Sequence, residues 1–311
     1  MKVDRYHSSD STAWNDFVRV SKNGTFLFDR GYMDYHSDRF VDHSLVLRSE
    51  AGRILALLPA TQHDNELHSH AGLTYGGLVL GNATGSVAAI DMIQAVRAYL
   101  AAHGLAVLHY KTIPSIYHQQ PAEEDRYALF RAGAALTRRD VLSVVPREDR
   151  LKYQARRGRG VGSAAKAGVE VVESKDFEPF WRVLEGNLRE RFGVSPVHSL
   201  AEIVLLHGRF PDCIRLFEAR VQGQAAAGCV VFETPRVAHV QYISASETGK
   251  QTHALDAVFD HLLRTVYPDK HFFDFGISNE EAGRVLNQGL VEQKEGFGAR
   301  TVVHDYYALT A

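Results

Sequence analysis

The chain repeats one order of predicted secondary-structure elements in its two halves. Each half contains helices, then three strands, a long helix, a strand, a short helix and a final strand, judged from hydrophobic periodicity and turn residues. Antiparallel-type strands joined through a crossover helix to further strands form a mixed sheet with helices on its faces. We therefore expect an α/β (mixed α+β) fold that occurs twice in tandem.

Two domains also fit the length, since 311 residues are more than one hydrophobic core usually serves. We predict a first domain at residues 1–148 and a second at residues 149–311. The predicted helices are 12–20, 32–39, 87–102, one after Pro121, 176–191, 199–207, 252–267 and 279–286. The predicted strands are 44–49, 53–59, 73–80, 105–112, 135–145, 214–220, 225–233, 237–246, 272–275 and 300–307.

Composition and charge exclude several classes of protein. Hydrophobic residues make up 45% and charged residues 23% of the chain, values of a globular rather than a disordered protein. The net charge of −2 provides no overall field to attract nucleic acid or an anionic membrane. Met1–Arg19 carries three aspartates and no apolar run, and no apolar run elsewhere approaches bilayer-crossing length, so we expect a cytoplasmic protein without a membrane span. Cys213 and Cys229 lie in apolar contexts and are expected to be buried, reduced thiols.

One segment departs from this balance of charge. Residues 147–166 carry seven basic side chains, which could hold phosphates or form a solvated helix face, as charge runs usually do. The alternating glycines of Arg157–Gly162 do not follow an apolar strand, so they are not predicted to form a phosphate loop. Nucleic-acid binding through residues 147–166 is a further candidate function, ranked third because aromatic residues for base stacking are sparse in this segment.

Short motifs in the second half resemble a known superfamily. Val237–Ser246, followed by Gly249–Ala254, resembles the central strand, loop and helix of the GNAT acyltransferases. The run Lys294-Glu295-Gly296-Phe297-Gly298 resembles the lysine, phenylalanine and glycine signature of the Fem-type (FemABX-like) branch, and Phe273–Gly276 is a supporting likeness. That branch carries two tandem GNAT-like domains, which agrees with the repeated order of elements.

The resemblance implies an N-acyltransferase that moves an acyl or aminoacyl group to an amine. Fem-type enzymes transfer amino acids from aminoacyl-tRNA to a peptidoglycan precursor, while other GNAT members use coenzyme A. The expected co-substrate is acyl-CoA or aminoacyl-tRNA, with no permanently bound cofactor and with tRNA as a possible partner. The expected acceptor is a cell-wall precursor, an amino sugar or a similar polar metabolite, and the reaction centre is expected in the second domain.

Donor contacts are expected from the central strand and the loop after it. In the fold that the resemblance implies, strand N–H groups stabilise the reacting carbonyl, and the loop with its helix N-terminus holds a diphosphate. The candidate donor-binding residues are Gln241, Ile243, Ser244, Lys250, Gln251, His253 and Ala254. His253 stands where a glycine is expected in members that use coenzyme A, and its side chain hinders close approach of a diphosphate to the backbone.

Three residues are candidates for the chemistry: Lys294, Tyr242 and His239. The family lysine that matches Lys294 is implicated in stabilising charge on the reacting or tRNA-terminal group, and the alternative is a solvated lysine in a turn. His239 and Tyr242 are titratable residues of the central strand, although such residues more often belong to the core. Regular alternation would place them on opposite faces, so only one is expected to be functional.

Acceptor contacts are expected from the first domain. Histidine, tyrosine and glycine are concentrated in residues 68–77, and a second stretch after the next strand resembles the family segment that faces the cleft between domains. The candidate acceptor-binding residues are His68, His70, Tyr75, Lys111 and Tyr117. A metal site would use His68 and His70 with His63 and Asp64, but no further compact ligand set accompanies them, so no metal is predicted.

Two functions from different classes follow from this sequence. The first is the acyltransferase. The second is a non-catalytic GNAT-like binding protein whose altered donor loop no longer accepts a donor.

Overall fold

The computed structural model describes residues 1–311, apart from the side chain of Phe192. The backbone forms two compact units. Unit 1 comprises Met1–Asp140, Asn279–Val285 and Val303–Ala311, and unit 2 comprises Val141–Ser278 and Leu286–Val302. The predicted boundary after residue 148 differs from this division because the last strand of the chain returns to unit 1, where Tyr306 pairs with Lys111.

Unit 1 is built from the first four helices and most of the short strands. The helices are α1 (Ser11–Val20), α2 (Arg30–Met33), α3 (Ser86–Ala102) and α4 (Glu124–Arg131). The strands are β1 (Lys2–Arg5), β2 (Val41–Asp42), β3 (Leu45–Arg48), β4 (Ile54–Leu58), β5 (Thr61–His63), β6 (Glu66–Ser69), β7 (Val79–Leu80) and β8 (Val107–Lys111). The strand β9 (Ala135–Pro146) begins in unit 1 and ends in unit 2.

The strands of unit 1 form two sheets around one core. One sheet has the antiparallel order β1-β3-β4-β7, and in the other β2, β5, β6 and β8 are neighbours in that order. Within the second sheet, β6 and β8 run parallel. Helix α3 supplies Ile93, Val96 and Leu100 to the apolar cluster that these strands bury.

Unit 2 contains the longer strands. Its strands are β10 (Glu170–Ser174), β11 (Ile214–Val221), β12 (Gln224–Glu233), β13 (Val237–Ala245) and β14 (Phe272–Ile277), which neighbour one another in that order. Its helices are α5 (Ala155–Lys166), α6 (Glu178–Phe192), α7 (Leu200–Arg209), α8 (Glu247–Gln251), α9 (Ala254–His261) and α10 (Gln288–Glu295). The π-helical turn Leu262–Val266 follows α9. Of the remaining strands, β15 (Asn279–Glu280) and most of β17 (Arg300–Thr310) belong to unit 1, and β16 (Val285–Leu286) has one residue in each unit.

Most predicted elements are present, and two departures among the helices have physical causes. The predicted helix 279–286 is wrong because Glu281, Ala282 and Gly283 all have positive φ, which a helix cannot contain. Helix α10 begins instead after Asn287, whose side chain caps it by accepting from the N–H of Leu290 at 3.0 Å. The predicted helix 252–267 is interrupted at its start by His253, which is left-handed at φ 55°.

The other departures lie in the strands of unit 1. The predicted strand 73–80 is reduced to Val79–Leu80, and the strands β5 and β6 before it were not predicted. Both cysteines are free as expected, with Cys229 buried and Cys213 half-buried. Within the described chain, no helix is both long enough and apolar enough to cross a bilayer.

The turn that replaces the predicted helix gives a stability prediction. A Cβ at Gly283 (φ 89°) would lie 2.1 Å from the carbonyl oxygen of Arg139, whereas a Cβ at Gly52 (φ 81°) would meet nothing within 4 Å. Gly52→Ala should therefore lower the free energy of unfolding by about 1–2 kcal/mol, the cost of the left-handed backbone alone. Gly283→Ala should lower it by about 1–3 kcal/mol more, because the backbone must move. Equal losses in urea unfolding would contradict the steric account.

Candidate active site

The strands β13 and β14 diverge in unit 2. They run parallel and pair over only three positions, from Val237–Phe272 to His239–Asp274. On its other edge, β13 remains paired with β12 as far as Ala245. Beyond His239, the edge of β13 that faces β14 therefore lacks ladder pairing. Backbone N–H and C=O groups along the edge of a strand can bind an extended ligand.

A histidine and an aspartate lie at the point of divergence. His239 and Asp274 are register partners, both are buried, and the Nδ1 of His239 lies 2.9 Å from Oδ2 of Asp274. The other carboxylate oxygen of Asp274 accepts from the N–H of Gly276 at 2.7 Å. A carboxylate held in this way orients the imidazole and favours the tautomer with its proton on Nδ1 and its lone pair on Nε2.

Lys294 is a buried lysine rather than a solvated one. It lies in the last turn of α10 with 8% of its surface exposed. Its Nζ donates to the carbonyl oxygens of Gly276 at 3.1 Å and Ile277 at 2.6 Å, and to Oγ of Ser278 at 2.9 Å. Burial lowers the pKa of Lys294 to about 8, against the opposing influence of the Asp274 charge. The amine is therefore poised between its charged and neutral forms near physiological pH.

The residues after Lys294 show why the run Lys294–Gly298 contains a phenylalanine and a final glycine. The ring of Phe297 is fully buried and packs 5.5 Å from the ring of Phe259 on α9. Gly298 has φ 94°, and a Cβ there would lie 2.8 Å from the carbonyl oxygen of Leu151. The motif thus anchors the end of α10 in the core and fixes where Lys294 enters the site.

A β-bulge corrects the expectation about the faces of β13. Tyr242 pairs with Val230 and Val240 pairs with Val231, so Gln241 is an extra residue on β13. His239 pairs with Phe232, and because Val230 and Phe232 share one face of β12, His239 and Tyr242 share the corresponding face of β13. The prediction that they lie on opposite faces is wrong, because regular alternation cannot anticipate a bulge.

Tyr242 and Ser244 are held by helix α6 and the residues after it. The hydroxyl of Tyr242 accepts from the N–H of His198 at 3.2 Å and also bonds its ring nitrogen Nδ1. The Nδ2 of Asn187 donates to Oγ of Ser244 at 2.6 Å. Sequence reasoning did not find His198 or Asn187, because no local pattern marks a partner about 45–60 residues away. Gln241 is half-buried and Ile243 is exposed, so both remain accessible.

The predicted donor loop is mostly helical. Lys250 and Gln251 lie in α8, where Lys250 forms an exposed ion pair with Glu247. The N–H groups of Gly249, Lys250, Thr252 and His253 donate to Oγ of Ser246 and to the carbonyl oxygens of Ser246, Thr248 and Lys250. Ala254 is fully buried in the apolar cluster of unit 2. In this conformation, those N–H groups are occupied and do not form a diphosphate cradle.

Unit 1 contains a separate cavity with a volume of about 540 Å³. Three of the predicted acceptor-binding residues, His68, His70 and Lys111, line it. The other two, Tyr75 and Tyr117, are buried with their ring centroids 4.4 Å apart and do not line it. The full lining is His68, Ser69, His70, Ala71, His109, Tyr110, Lys111, Thr137, Arg138, Ala282, Tyr306 and Tyr307.

The lining of this cavity combines cations, imidazoles and an aromatic ring. The Nζ of Lys111 donates to the carbonyl oxygens of Leu73 at 2.5 Å and His70 at 3.4 Å, and burial lowers its pKa to about 8. Burial also lowers the pKa of His70 to about 3, so that imidazole is neutral at pH 7. The guanidinium of Arg138 lies 4.6 Å from the ring centre of Tyr306. This chemistry suits a polar ligand that carries negative charge.

Comparison with known proteins agrees with the fold described above. Residues 147–282 match the family model of the acetyltransferase (GNAT) domain. The match contains β13, β14 and their divergence, and it confirms the resemblance to GNAT acyltransferases expected from the sequence. No curated protein matches the sequence.

Solved structures extend this likeness to the whole chain. FemX is 10% identical with a TM-score of 0.66, covering 99% of this chain and 97% of that chain. The C-terminal domain of a protein assigned as a lysylphosphatidylglycerol synthetase from Agrobacterium fabrum is 13% identical with a TM-score of 0.62. The match covers 97% of this chain and 92% of that chain. A tandem GNAT protein from the clavulanic acid biosynthesis pathway is 13% identical with a TM-score of 0.52, covering 99% and 98%. The predicted fold, two tandem GNAT-like domains, is thereby confirmed.

The pKa of Lys294 gives a prediction for stability against pH. Its pKa falls from 10.5 to about 8 on folding, so between these values the unfolded chain holds the proton that the folded chain has lost. The free energy of unfolding should therefore rise with pH across this window, by up to about 3 kcal/mol. Urea unfolding at pH 7.5 and pH 10 should show this rise as the difference between the unmodified protein and Lys294→Met. Parallel pH dependences would contradict the assigned pKa.

Proposed function

We propose that unit 2 catalyses transfer of an acyl or aminoacyl group to an amine of a polar acceptor, such as a cell-wall precursor or an amino sugar. The observation that carries this proposal is the divergence of β13 and β14 beside the buried Nζ of Lys294. The GNAT family match and the tandem fold support the reaction type.

The reaction requires a base for the amine, a stabiliser for the carbonyl oxygen and an acid for the leaving group. His239, oriented by Asp274, is placed to accept the proton of the attacking amine through Nε2. Backbone N–H groups of β13 beyond Val240 are suited to the carbonyl oxygen. Lys294 is suited to protonate the leaving oxygen or sulfur, because a pKa of about 8 leaves it mainly charged at pH 7 yet able to release a proton.

The steps balance in atoms and charge. A bond forms between the acceptor nitrogen and the carbonyl carbon, and the bond from that carbon to the oxygen or sulfur of the donor breaks. One proton leaves the amine for His239, and one proton leaves Lys294 for the departing group. Tyr242 lies on the same face as His239, and its bonded hydroxyl favours a positioning role.

The hydrogen bonds of α8 bear on the nature of the donor. A diphosphate bound as in coenzyme A-dependent enzymes needs free N–H groups after the central strand, whereas those of Gly249, Lys250 and His253 are occupied. This favours a donor held mainly by its acyl end and by β13, such as aminoacyl-tRNA, over acyl-CoA. The fold likeness to FemX agrees with that preference.

A second candidate function is a non-catalytic GNAT-like binding protein. Two observations favour it. The N–H groups of the predicted donor loop are occupied, and Nζ of Lys294 already donates to three acceptors. Its ligand would bind in the cavity of unit 1, with unit 2 lacking a donor.

The first functional prediction concerns Lys294. Lys294→Met should reduce acyl transfer by about 100–10,000-fold, the usual contribution of a positioned general acid. Lys175→Met removes an exposed lysine of the same unit and should leave the rate unchanged. Transfer is measured as amine-dependent release of amino acid from charged tRNA, or of thiol from acetyl-CoA. A folded Lys294→Met protein with full turnover would refute the assigned role.

The second functional prediction separates the donors and the two functions. Calorimetry should detect heat with a hydrolysis-resistant aminoacyl-tRNA mimic and little or none with acetyl-CoA. Binding of acetyl-CoA with micromolar affinity would overturn the preferred donor but keep the transferase. Absence of heat with both donors would favour the binding protein.

A further inference from the structure

We propose that Glu66, His68 and His109 in unit 1 form a binding site for a divalent transition-metal ion, with Zn²⁺ as the reference ion. The proposal is independent of the transfer reaction assigned to unit 2. It rests on three side chains whose donor atoms all lie within 4.8 Å of one another.

The strand register brings these side chains together. His68 on β6 is the direct partner of His109 on the parallel strand β8, and their rings stack at 4.6 Å with an interplanar angle of 20°. Glu66 lies two positions before His68 on β6, so it projects from the same face. Paired strands are a more rigid support for a metal site than loops.

The distances suit one shared ion. Oε2 of Glu66 lies 3.0 Å from Nε2 of His109 and 3.7 Å from Nε2 of His68. Ligands of a tetrahedral zinc at bond lengths of about 2.0–2.2 Å are themselves separated by about 3.3–3.6 Å. The two measured separations lie on either side of this range, and ion binding requires the two imidazoles to rotate out of their stacked arrangement so that both Nε2 lone pairs face one ion.

The donor chemistry indicates the class of metal. Two imidazoles and one carboxylate suit zinc and related divalent transition metals, whereas magnesium and calcium prefer oxygen ligands. Three protein ligands leave a fourth position open for water or another ligand. His68 and His109 also line the cavity of unit 1, so that position is available to a molecule bound there.

From the sequence no metal was predicted, and the ligand set that was considered, His68 and His70 with His63 and Asp64, is not the one that the structure brings together. His63 and Asp64 form an exposed pair at 3.4 Å, and Nδ1 of His70 accepts from the N–H of Gly72. The cluster instead takes His109 from a strand about 40 residues away, which spacing alone does not reveal. Glu66 is hydrogen-bonded to His109, and the strand register places all three side chains on one face, where a single ion can bind them together.

Calorimetric titration of the full chain with ZnCl₂ tests the site. We expect one equivalent to bind, with affinity reduced by more than about 100-fold in His68→Gln and in His109→Gln. His7→Gln is the matched control, since His7 is an exposed histidine of unit 1 bonded locally to Ser9, and it should bind as the unmodified protein does. Four-coordinate Co²⁺ should give intense visible absorption that both cluster variants lose.

Two outcomes of the zinc titration would contradict the site. Failure to bind one equivalent of zinc, or unchanged affinity in folded His68→Gln and His109→Gln, would overturn the proposal. If either variant does not fold, the unmodified protein provides the test through diethylpyrocarbonate labelling. Zinc should protect His68 and His109 from the reagent while His7 reacts at its original rate, and equal labelling with and without zinc would overturn the site.

Discussion

The separation of two parallel strands is the constraint on which the candidate active site depends. Once β13 and β14 cease to pair after His239 and Asp274, the sheet of unit 2 has polar backbone edges that require partners. Gly276, at φ 74°, bends β14 at this point, and its carbonyl oxygen turns to Lys294. The interruption therefore supplies the acceptors that hold a buried amine.

Burial of that amine links packing to chemistry. An uncompensated ammonium in a protein interior is unfavourable, and three hydrogen-bond acceptors together with the charge of Asp274 offset only part of the cost. The remaining cost is expressed as a lowered pKa, which is also the property that an acid catalyst near neutral pH requires. The packing of Phe297 and the left-handed turn at Gly298 fix the helix end that carries Lys294.

The sequence predicted the order of helices and strands better than it predicted the contacts between side chains. Long strands and helices with clear periodicity, such as β12 and α6, were found because their burial patterns are local. Three features were not local and were missed. The bulge at Gln241 places His239 and Tyr242 on the same face of β13 rather than on opposite faces. Positive φ values prevent the helix predicted at 279–286, and the hydrogen-bond partner of Tyr242 comes from a distant segment. In unit 1, His68, His70 and Lys111 line one cavity while Tyr75 and Tyr117 pack in the interior, and the role of these residues in acceptor binding stays a prediction.

Hydrogen–deuterium exchange tests the central claim, that a donor binds along β13 where it leaves β14. With a hydrolysis-resistant aminoacyl-tRNA mimic, the account predicts slower exchange in residues 240–245 and unchanged exchange in β10, at the far side of the same group of strands. A donor that binds without altering exchange in residues 240–245, while protecting another surface, would contradict the account.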